Sequence, residues 1–334
     1  MRIALDVMGG DHAPQEILAG AKEALAASDT LDLMLVGDLE AVLKYWPEAK
    51  SDTRIEIVHC DEVIEMHEHP AMAYRKKKNA SITVASRLVR DGEAQGVISA
   101  GSTGAQMVAA LFEIGRMEGV NRPAIASFIP TLRGPRVILD IGANTDSLAE
   151  NLRQFSWLGK IYCSVALGIA DPRVYLLSNG AEAEKGDELI QKTHSLLAEE
   201  EGLRFCGNIE GRDLFSGDAD VVVTDGFAGN IALKTMEGTA EALFAMMKEA
   251  FMADARSKLG AVLLKPALRK VKSRLDYEEI GGAPLLGVRG LSVVCHGSSN
   301  AKAIRAAILK AGEWVDSGLL AKLSAHQFKP IVSP

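Results

Sequence analysis

The chain has 334 residues, enough for one large α/β unit or about two domains with a substantial core. Hydrophobic residues make up 48% and charged residues 24%, which excludes a disordered tail. Aromatics at 5% and a net charge of −7 give no support to a base-stacking single-strand binder or to duplex recognition, so no nucleic-acid partner is expected.

Met1-Arg2 runs straight into Ile3-Ala4-Leu5-Asp6, where an acid interrupts the apolar run, so nothing at the amino terminus resembles a signal peptide. No apolar stretch approaches the ~20 residues that span a bilayer. A cytoplasmic protein is expected. Short apolar, β-branched runs are predicted as strands at 2–7, 32–36, 54–58, 96–99, 124–129, 136–141, 173–178, 220–224 and 291–295, alternating with helix-period segments. Val221-Val222-Val223 is apolar at every position, as in a strand covered by helices on both faces. The four cysteines, Cys60, Cys163, Cys206 and Cys295, have no CxxC spacing and read as small buried hydrophobes in a reducing compartment. Neither repeats nor Pro-, Gly- or Ser-rich linkers divide the chain, so residues 1–334 read as one large α/β domain with intertwined halves.

The strands end in glycine and small polar residues: Asp6 to His12, Ser99 to Gly104, Asp140 to Asn144, Ser178 to Gly180, Thr224 to Asn230, and Cys295 to Asn300. In an open α/β sheet such ends gather ligands, because glycine lets the backbone approach and helix N-termini present N–H groups to anions. Any one Asn or Ser taken singly reads better as a helix N-cap; six such strand ends together point to an anion site. No GxxxxGK(S/T), no GxGxxG after the first strand, no GxSxG and no HExxH occurs, which removes the main support for a P-loop, a standard dinucleotide site, a serine hydrolase elbow or a zincin. Glu65, His67, Glu68 and His69 read as a solvated loop rather than metal ligands, since histidines two apart diverge on a helix.

Laid side by side, DVMGGDHAP, SAGSTGA, LDIGANTD, LLSNGAEAEKG, GNIEGRDL, VVVTDGFAGNIALKTMEG, GGAPLLGVRG and HGSSNAKAI closely resemble the PlsX family of bacterial phosphate acyltransferases, from Met1 to about Gly318. Two positions depart from the family pattern, Ser102 and Arg289, each usually Asn. The resemblance implies a three-layer α/β/α fold around one large, mixed, mostly parallel sheet, similar to the isocitrate dehydrogenase and phosphotransacetylase group. It further implies transfer of a long-chain acyl group from acyl carrier protein to inorganic phosphate, without cofactor or metal. The acyl-phosphate product passes to a membrane-bound glycerol-phosphate acyltransferase in phosphatidic acid and phospholipid synthesis.

Phosphate attacking a thioester carbonyl is its own nucleophile, which leaves the protein to position two reactants and to stabilise negative charge. Lys185 and Asn230 are the catalytic candidates. A cation near a helix start opposes the macrodipole, which suggests that Lys185 holds phosphate or oxyanion; the plainer alternative pairs it with Glu182, Glu184 or Asp187. Asn230 offers an amide donor to the thioester oxygen, or caps a helix beginning at Ile231. The phosphate or substrate site is expected to draw on Gly9, Gly10, Asp11, His12, Gly101, Ser102, Thr103, Gly104, Asn144, Asp225, Gly226, Gly229, Ser298 and Ser299. Within this set His12, Asn144, Ser298 and Ser299 also read as structural or capping residues.

Between Lys248 and Arg274 the charge is locally +6, with Phe244, Met247, Phe251, Leu264, Leu268, Val271 and Leu275 at helical spacing. The pattern predicts a projecting amphipathic hairpin over 238–277, with a greasy turn at Leu259–Leu264 and a bend at Gly260 and Pro266. Arg256, Lys258, Leu263, Leu264, Lys265, Arg269 and Lys272 are its membrane- or carrier-docking candidates. The stripe reads as core or dimer interface, as a contact to anionic lipid, or as a dock for the acidic carrier; the family resemblance favours a homodimer with peripheral membrane association. Arg75-Lys76-Lys77-Lys78 reads either as a second docking or phosphate-recognition element or as a solvated loop. Rival functions are a coenzyme A-dependent phosphotransacetylase, a nicotinamide-dependent decarboxylating dehydrogenase, and a non-enzymatic scaffold for carrier and membrane.

Overall fold

All nine apolar runs form strands, and two strands not foreseen join them in a single eleven-stranded sheet. The computed structural model describes residues 1–275, 281–329 and 331, without the side chains of 272–275. The strands are β1 (Arg2–Asp6), β2 (Asp32–Gly37), β3 (Ile55–His59), β4 (Gly96–Ser99), β5 (Ala124–Ile129), β6 (Arg136–Leu139), β7 (Val174–Ser178), β8 (Phe205–Glu210), β9 (Val221–Val223), β10 (Ala283–Leu286) and β11 (Leu291–Val294). Their order is β3-β2-β1-β4-β11-β10-β5-β6-β9-β7-β8.

Strands β3, β2, β1, β4 and β11 run parallel, as do β6, β9, β7 and β8. Between the two parallel sets, β10 and β5 are antiparallel to both of their neighbours. These two are the unexpected feature. The length and alternation of the apolar runs predict parallel β-α units, whereas β10 is four residues long, contains Pro284 and follows two glycines. Strand β8, the other addition, gives no apolar-run signal because FCGNIE carries a glycine and the polar Asn208 and Glu210 and occupies the sheet edge. Strand β6 ends at Leu139 rather than at 141.

The helices are α1 (Gln15–Ala27), α2 (Leu39–Tyr45), α3 (Pro70–Lys76), α4 (Ser81–Arg90), α5 (Thr103–Ala109), α6 (Ala149–Leu167), α7 (Glu188–Ala198), α8 (Gly226–Met252), α9 (Ala255–Leu275), α10 (Ala301–Asp316) and α11 (Leu319–Ala325). A π-helical turn, Ala110–Ile114, extends α5. Successive strand side chains point to opposite faces, so Ile3, Leu5, Leu33 and Leu35 pack beneath α1 and α10 while Ala4, Met34, Val36 and Val97 pack against α4 and α5. Both faces are buried, which is why these strands read as unbroken apolar runs.

The hairpin differs from its prediction. Its turn lies at Ala253–Asp254, while Leu259–Leu264, Gly260 and Pro266 all fall inside α9. Helix α8 begins at Gly226, twelve residues before the expected boundary, and residues 276–277 lie outside the described residues. No described helix is long and apolar enough to cross a membrane.

Helices α1 and α10 tie the start of the chain to its end. A Cβ on Gly20 would stand 2.5 Å from the Ala301 carbonyl and 2.7 Å from Ile304 Cβ, and Glu16 Oε2 accepts from the Ala301 N–H at 2.8 Å. Gly20→Ala is therefore expected to lower stability by about 2 kcal/mol or more, because a backbone carbonyl cannot yield as a side-chain tip can. Gly238→Ala, in α8 with nothing within 4 Å of an added Cβ, is expected to leave stability unchanged or raise it by up to about 1 kcal/mol. Thermal unfolding of the two variants checks both signs.

Candidate active site

Three strand ends of the first parallel set are knitted together around Asp6. Its buried carboxylate accepts from Ser99 Oγ at 2.6 Å and from the Met8 N–H at 3.2 Å, and burial pushes its pKa upward. Gly9 fits only because it has no side chain: a Cβ would stand 2.8 Å from the Gly101 nitrogen. The Asp11 N–H donates to the Gly297 carbonyl at 2.8 Å, joining the ends of β1 and β11. Ser102 caps α5 through Ala105 N, leaving Thr103 and Gly104 in its first turn as expected. Asn300 caps α10 through Ala303 N, which leaves Ser298 and Ser299 outside the helix.

On the second set the organising group is Asp140. It is fully buried, and its oxygens accept from the backbone of Ile125, Gly142, Ala143 and Asn144 and from Asn144 Nδ2 at 2.7–3.1 Å. Burial raises its carboxyl, and these donors oppose that rise. The resulting loop receives α8 at close range. Gly226 N donates to Asn144 O at 2.7 Å, and a Cβ on Gly229 would stand 1.9 Å from the Asp140 carbonyl oxygen. Asp225 caps α8 through Phe227 N and Ala228 N.

Between these two assemblies, where β10 and β5 reverse direction, lies a cavity of about 380 Å3. Its lining mixes polar residues, Asp11, Thr103, His296 and Ser299, and the glycines 101 and 297 with apolar ones, Ile125, Ile141, Leu233, Ala283 and Val294; Met66 lies beside Gly297 and Asp11. Helix α8 lays Asn230, Leu233, Lys234 and Glu237 along the cavity, and Lys234 pairs with Glu237 at 2.7 Å. Asn230 Nδ2 donates to Ile141 O at 3.0 Å, anchoring one amide hydrogen and leaving the other for a ligand. Such a cavity can hold an anion on hydroxyls and backbone N–H groups beside an apolar chain.

Of the residues expected from the sequence, Asp11, Gly101, Thr103, Asn230 and Ser299 line this cavity, while Gly9, Gly10, Ser102, Gly104, Asp225, Gly226 and Gly229 shape the turns around it. Asn230 is not a cap, because Asp225 caps a helix that begins at Gly226, five residues before the predicted start. Asn144 is neither a cap nor a lining residue: its amide is turned inward to Pro123 O and Asp140. His12 is exposed and does not line the cavity. Ser298 Oγ lies 2.7 Å from His296 Nδ1, and the Ser298 N–H points at the same nitrogen at 3.3 Å.

Lys185 stands on the loop after β7, beside the β9 end from which α8 departs, and outside the cavity lining. That loop is built rather than loose. Gly186 N donates to Asn179 Oδ1, Asn208 Nδ2 to Glu182 O, and Gln191 Nε2 to Glu184 O, at 2.8–2.9 Å. The Lys185 stem crosses Gly180, where a Cβ would meet Cγ at 2.6 Å. Its side chain is exposed and, among the described residues, forms no ion pair, so the carboxylates of Glu182, Glu184 and Asp187 do not take it up. Sequence reasoning missed His296, Lys234, Glu237 and Asp140. The available signals were the position of His296 directly after β11 and the i+4 and i+7 spacing of Lys234 and Glu237 from Asn230.

Solved phosphotransacetylases share this fold. A phosphotransacetylase from Streptococcus pyogenes superposes with a TM-score of 0.60 at 17% identity, covering 95% of this chain and 94% of that one. The EutD phosphotransacetylase of Staphylococcus aureus gives 0.59 at 19% identity, covering 94% of each chain. The family described as "Fatty acid synthesis protein" matches residues 1–322. Proteins named phosphate acyltransferase are 52% identical over 320 residues in Pelotomaculum thermopropionicum (96% of this chain, 93% of that protein) and 51% over 328 in Heliobacterium modesticaldum (98% and 97%). The chain belongs to this family, the PlsX phosphate acyltransferases, and is an acyltransferase.

One cysteine, Cys295, lines the cavity. Burial pushes its thiol, and those of Cys60 and Cys163, up to about 12, so all three stay protonated near neutrality and none is a ready nucleophile. Cys206 departs from the expected burial and is exposed. At pH 8 a thiol-specific chromogenic disulfide is expected to titrate one fast group in the native protein and four after unfolding. Fast reaction at Cys295 would contradict this assignment.

Proposed function

We propose that the protein transfers a long-chain acyl group from an acyl carrier protein thioester to inorganic phosphate, releasing acyl-phosphate and the carrier thiol. The observation that carries this reading is the cavity itself: glycine-bearing strand ends with hydroxyl and backbone N–H groups, apolar side chains and the Asn230 amide all line one space. Phosphate held by the strand ends attacks the thioester carbonyl. The C–O bond forms, negative charge moves to the carbonyl oxygen, and collapse of the tetrahedral species breaks the C–S bond and expels the phosphopantetheine thiolate. The second Asn230 N–H stabilises the oxyanion, while Lys185 brings a cation to the phosphate from the adjoining strand end. Neither role requires a covalent enzyme intermediate. The thiols raised by burial are in keeping with that.

The reading extends to the whole chain, acting as one α/β unit from which the hairpin projects. Helix α8 buries only Gly226 and Gly229. Exposure reaches 75% at Leu263 and 67% at Val262, flanked by exposed Arg256, Lys258, Leu264, Lys265 and Arg269; the Lys272 side chain lies outside the described residues. Such an apolar surface among cations suits a second copy of the chain along the helices and peripheral contact with anionic lipid. From there acyl-phosphate passes to a membrane-bound glycerol-phosphate acyltransferase in phosphatidic acid and phospholipid synthesis, with the protein cytoplasmic and peripherally associated.

The deciding assay is thiol release from a long-chain acyl carrier protein with and without phosphate, scored for acyl-phosphate. Release is expected only with phosphate, and Lys185→Ala and Asn230→Ala are each expected to cut kcat by about 100-fold or more with native thermal stability. Turnover on coenzyme A thioesters alone would move the protein to the short-chain transacetylase class. Full turnover in both variants would refute the site.

A further inference from the structure

Helix α3 and the π-helical turn after α5 form a cationic and aromatic surface beside the cavity mouth, which the reaction scheme above does not use. Met66, on the cavity wall, precedes α3 by four residues. Pro70, the first residue of α3, is packed so tightly on α5 that a Cβ on Gly104 would stand 2.6 Å from its Cγ. Thr103, the neighbour of that glycine, lines the cavity.

The surface is built on a buried anchor. Glu113, inside the π-turn, accepts from Tyr74 Oη at 3.1 Å, Arg87 at 3.3 Å and Arg90 at 2.7 Å, so the one acid beneath the patch is consumed internally. The extra residue of the π-turn aims Phe112 outward, 67% exposed, with its ring stacked on Tyr74 at 5.4 Å. Lys78 Nζ stands 4.4 Å from the Tyr74 ring centroid. Met72 is 56% exposed on α3, followed by exposed Arg75 and Lys76. Among the described residues Arg75 and Lys76 make no ion pair. Two acids shortly before α3 are committed elsewhere, Glu68 to Lys77 at 2.5 Å and Glu62 to the Asn79 N–H at 2.8 Å.

We propose that this surface, Met72, Arg75, Lys76, Lys78 and Phe112, docks the acyl carrier protein through an acidic face of that carrier. The inference rests on the proposed function for the identity of the donor. Charge complementarity selects the occupant: three cations that make no ion pair among the described residues, in a protein of net charge −7, favour an acidic partner over a second copy of this acidic chain. Position selects the delivery, since an arm tethered to a protein seated on α3 enters past Met66. Exposed Met and Phe supply the apolar centre that a protein interface needs, with the cations at its rim.

The test is a comparison of two donors, long-chain acyl carrier protein and the same acyl group on pantetheine alone, with the double variant Arg75→Glu/Lys76→Glu and, separately, Phe112→Ala. KM for the carrier thioester is expected to rise about tenfold or more in the double variant and to lose its dependence on ionic strength, with kcat within about twofold and the pantetheine thioester unaffected. An unchanged carrier KM, or an equal rise with both donors, overturns the proposal. Loss of sedimentation with phosphatidylglycerol vesicles alongside normal carrier kinetics also overturns it, because the patch then meets lipid. If the unsubstituted protein releases no thiol from either donor, the proposed function fails instead. Calorimetric binding of the carrier to native and substituted protein then decides the docking question by itself.

Discussion

The Asp140 carboxylate closes the second half of the site. Removing it from water is costly, and that cost is met by five donors drawn from two segments, Ile125 on β5 and residues 142–144 of its own loop. The same loop then fixes α8, because Asn144 O takes the Gly226 N–H and the Asp140 carbonyl leaves room only for glycine at 229. Asn230 reaches the cavity because the helix before it has been set down against this loop. The catalytic proposal thus depends on a buried side chain that touches no substrate.

Asp6 plays the corresponding part in the first half. Its partners include Ser99 at the end of β4, the Met8 backbone and Ser81, the first residue of α4, so it ties its strand end both to a neighbouring strand and to a helix. The polar groups of the cavity come largely from strand ends, while α8, the same helix whose far end projects with exposed Met246 and Met252, adds Asn230, Leu233, Lys234 and Glu237. Fixed donors need no reorganisation as charge develops, whereas apolar side chains have no directional contacts to preserve.

Much of this was legible in the residues. Strands covered on both faces announce themselves as unbroken apolar runs, and glycine-rich ends announce close backbone approach; these signals located nine strands, and five of the expected residues, Asp11, Gly101, Thr103, Asn230 and Ser299, line the cavity. What failed was anything set by tertiary contact. The APLL segment pairs as β10 although its proline and length argue against a strand, because Ala283 and Pro284 find β11 on one side and Leu285 and Leu286 find β5 on the other. Asn144 reads as a donor for substrate until its amide is found turned toward Pro123. In α9, helical spacing of apolar residues was real, but spacing says nothing about which partner covers the stripe, and the greasy Leu259–Leu264 segment continues the helix instead of turning it.

Strand β11 is last in the sequence yet sits in the middle of the sheet, between β4 and β10, and the α10 that follows packs on α1. During synthesis the β4 edge therefore stays unpaired until nearly the whole chain has left the ribosome, and the hydrophobic face of α1 waits with it. Closing such long sequence separations costs chain entropy before the contacts return it, which predisposes the protein to slow folding and gives the nascent chain a long-lived open sheet edge. The two halves of the cavity are completed together, by the final fifty residues, so that binding competence arrives at the end of folding rather than in stages.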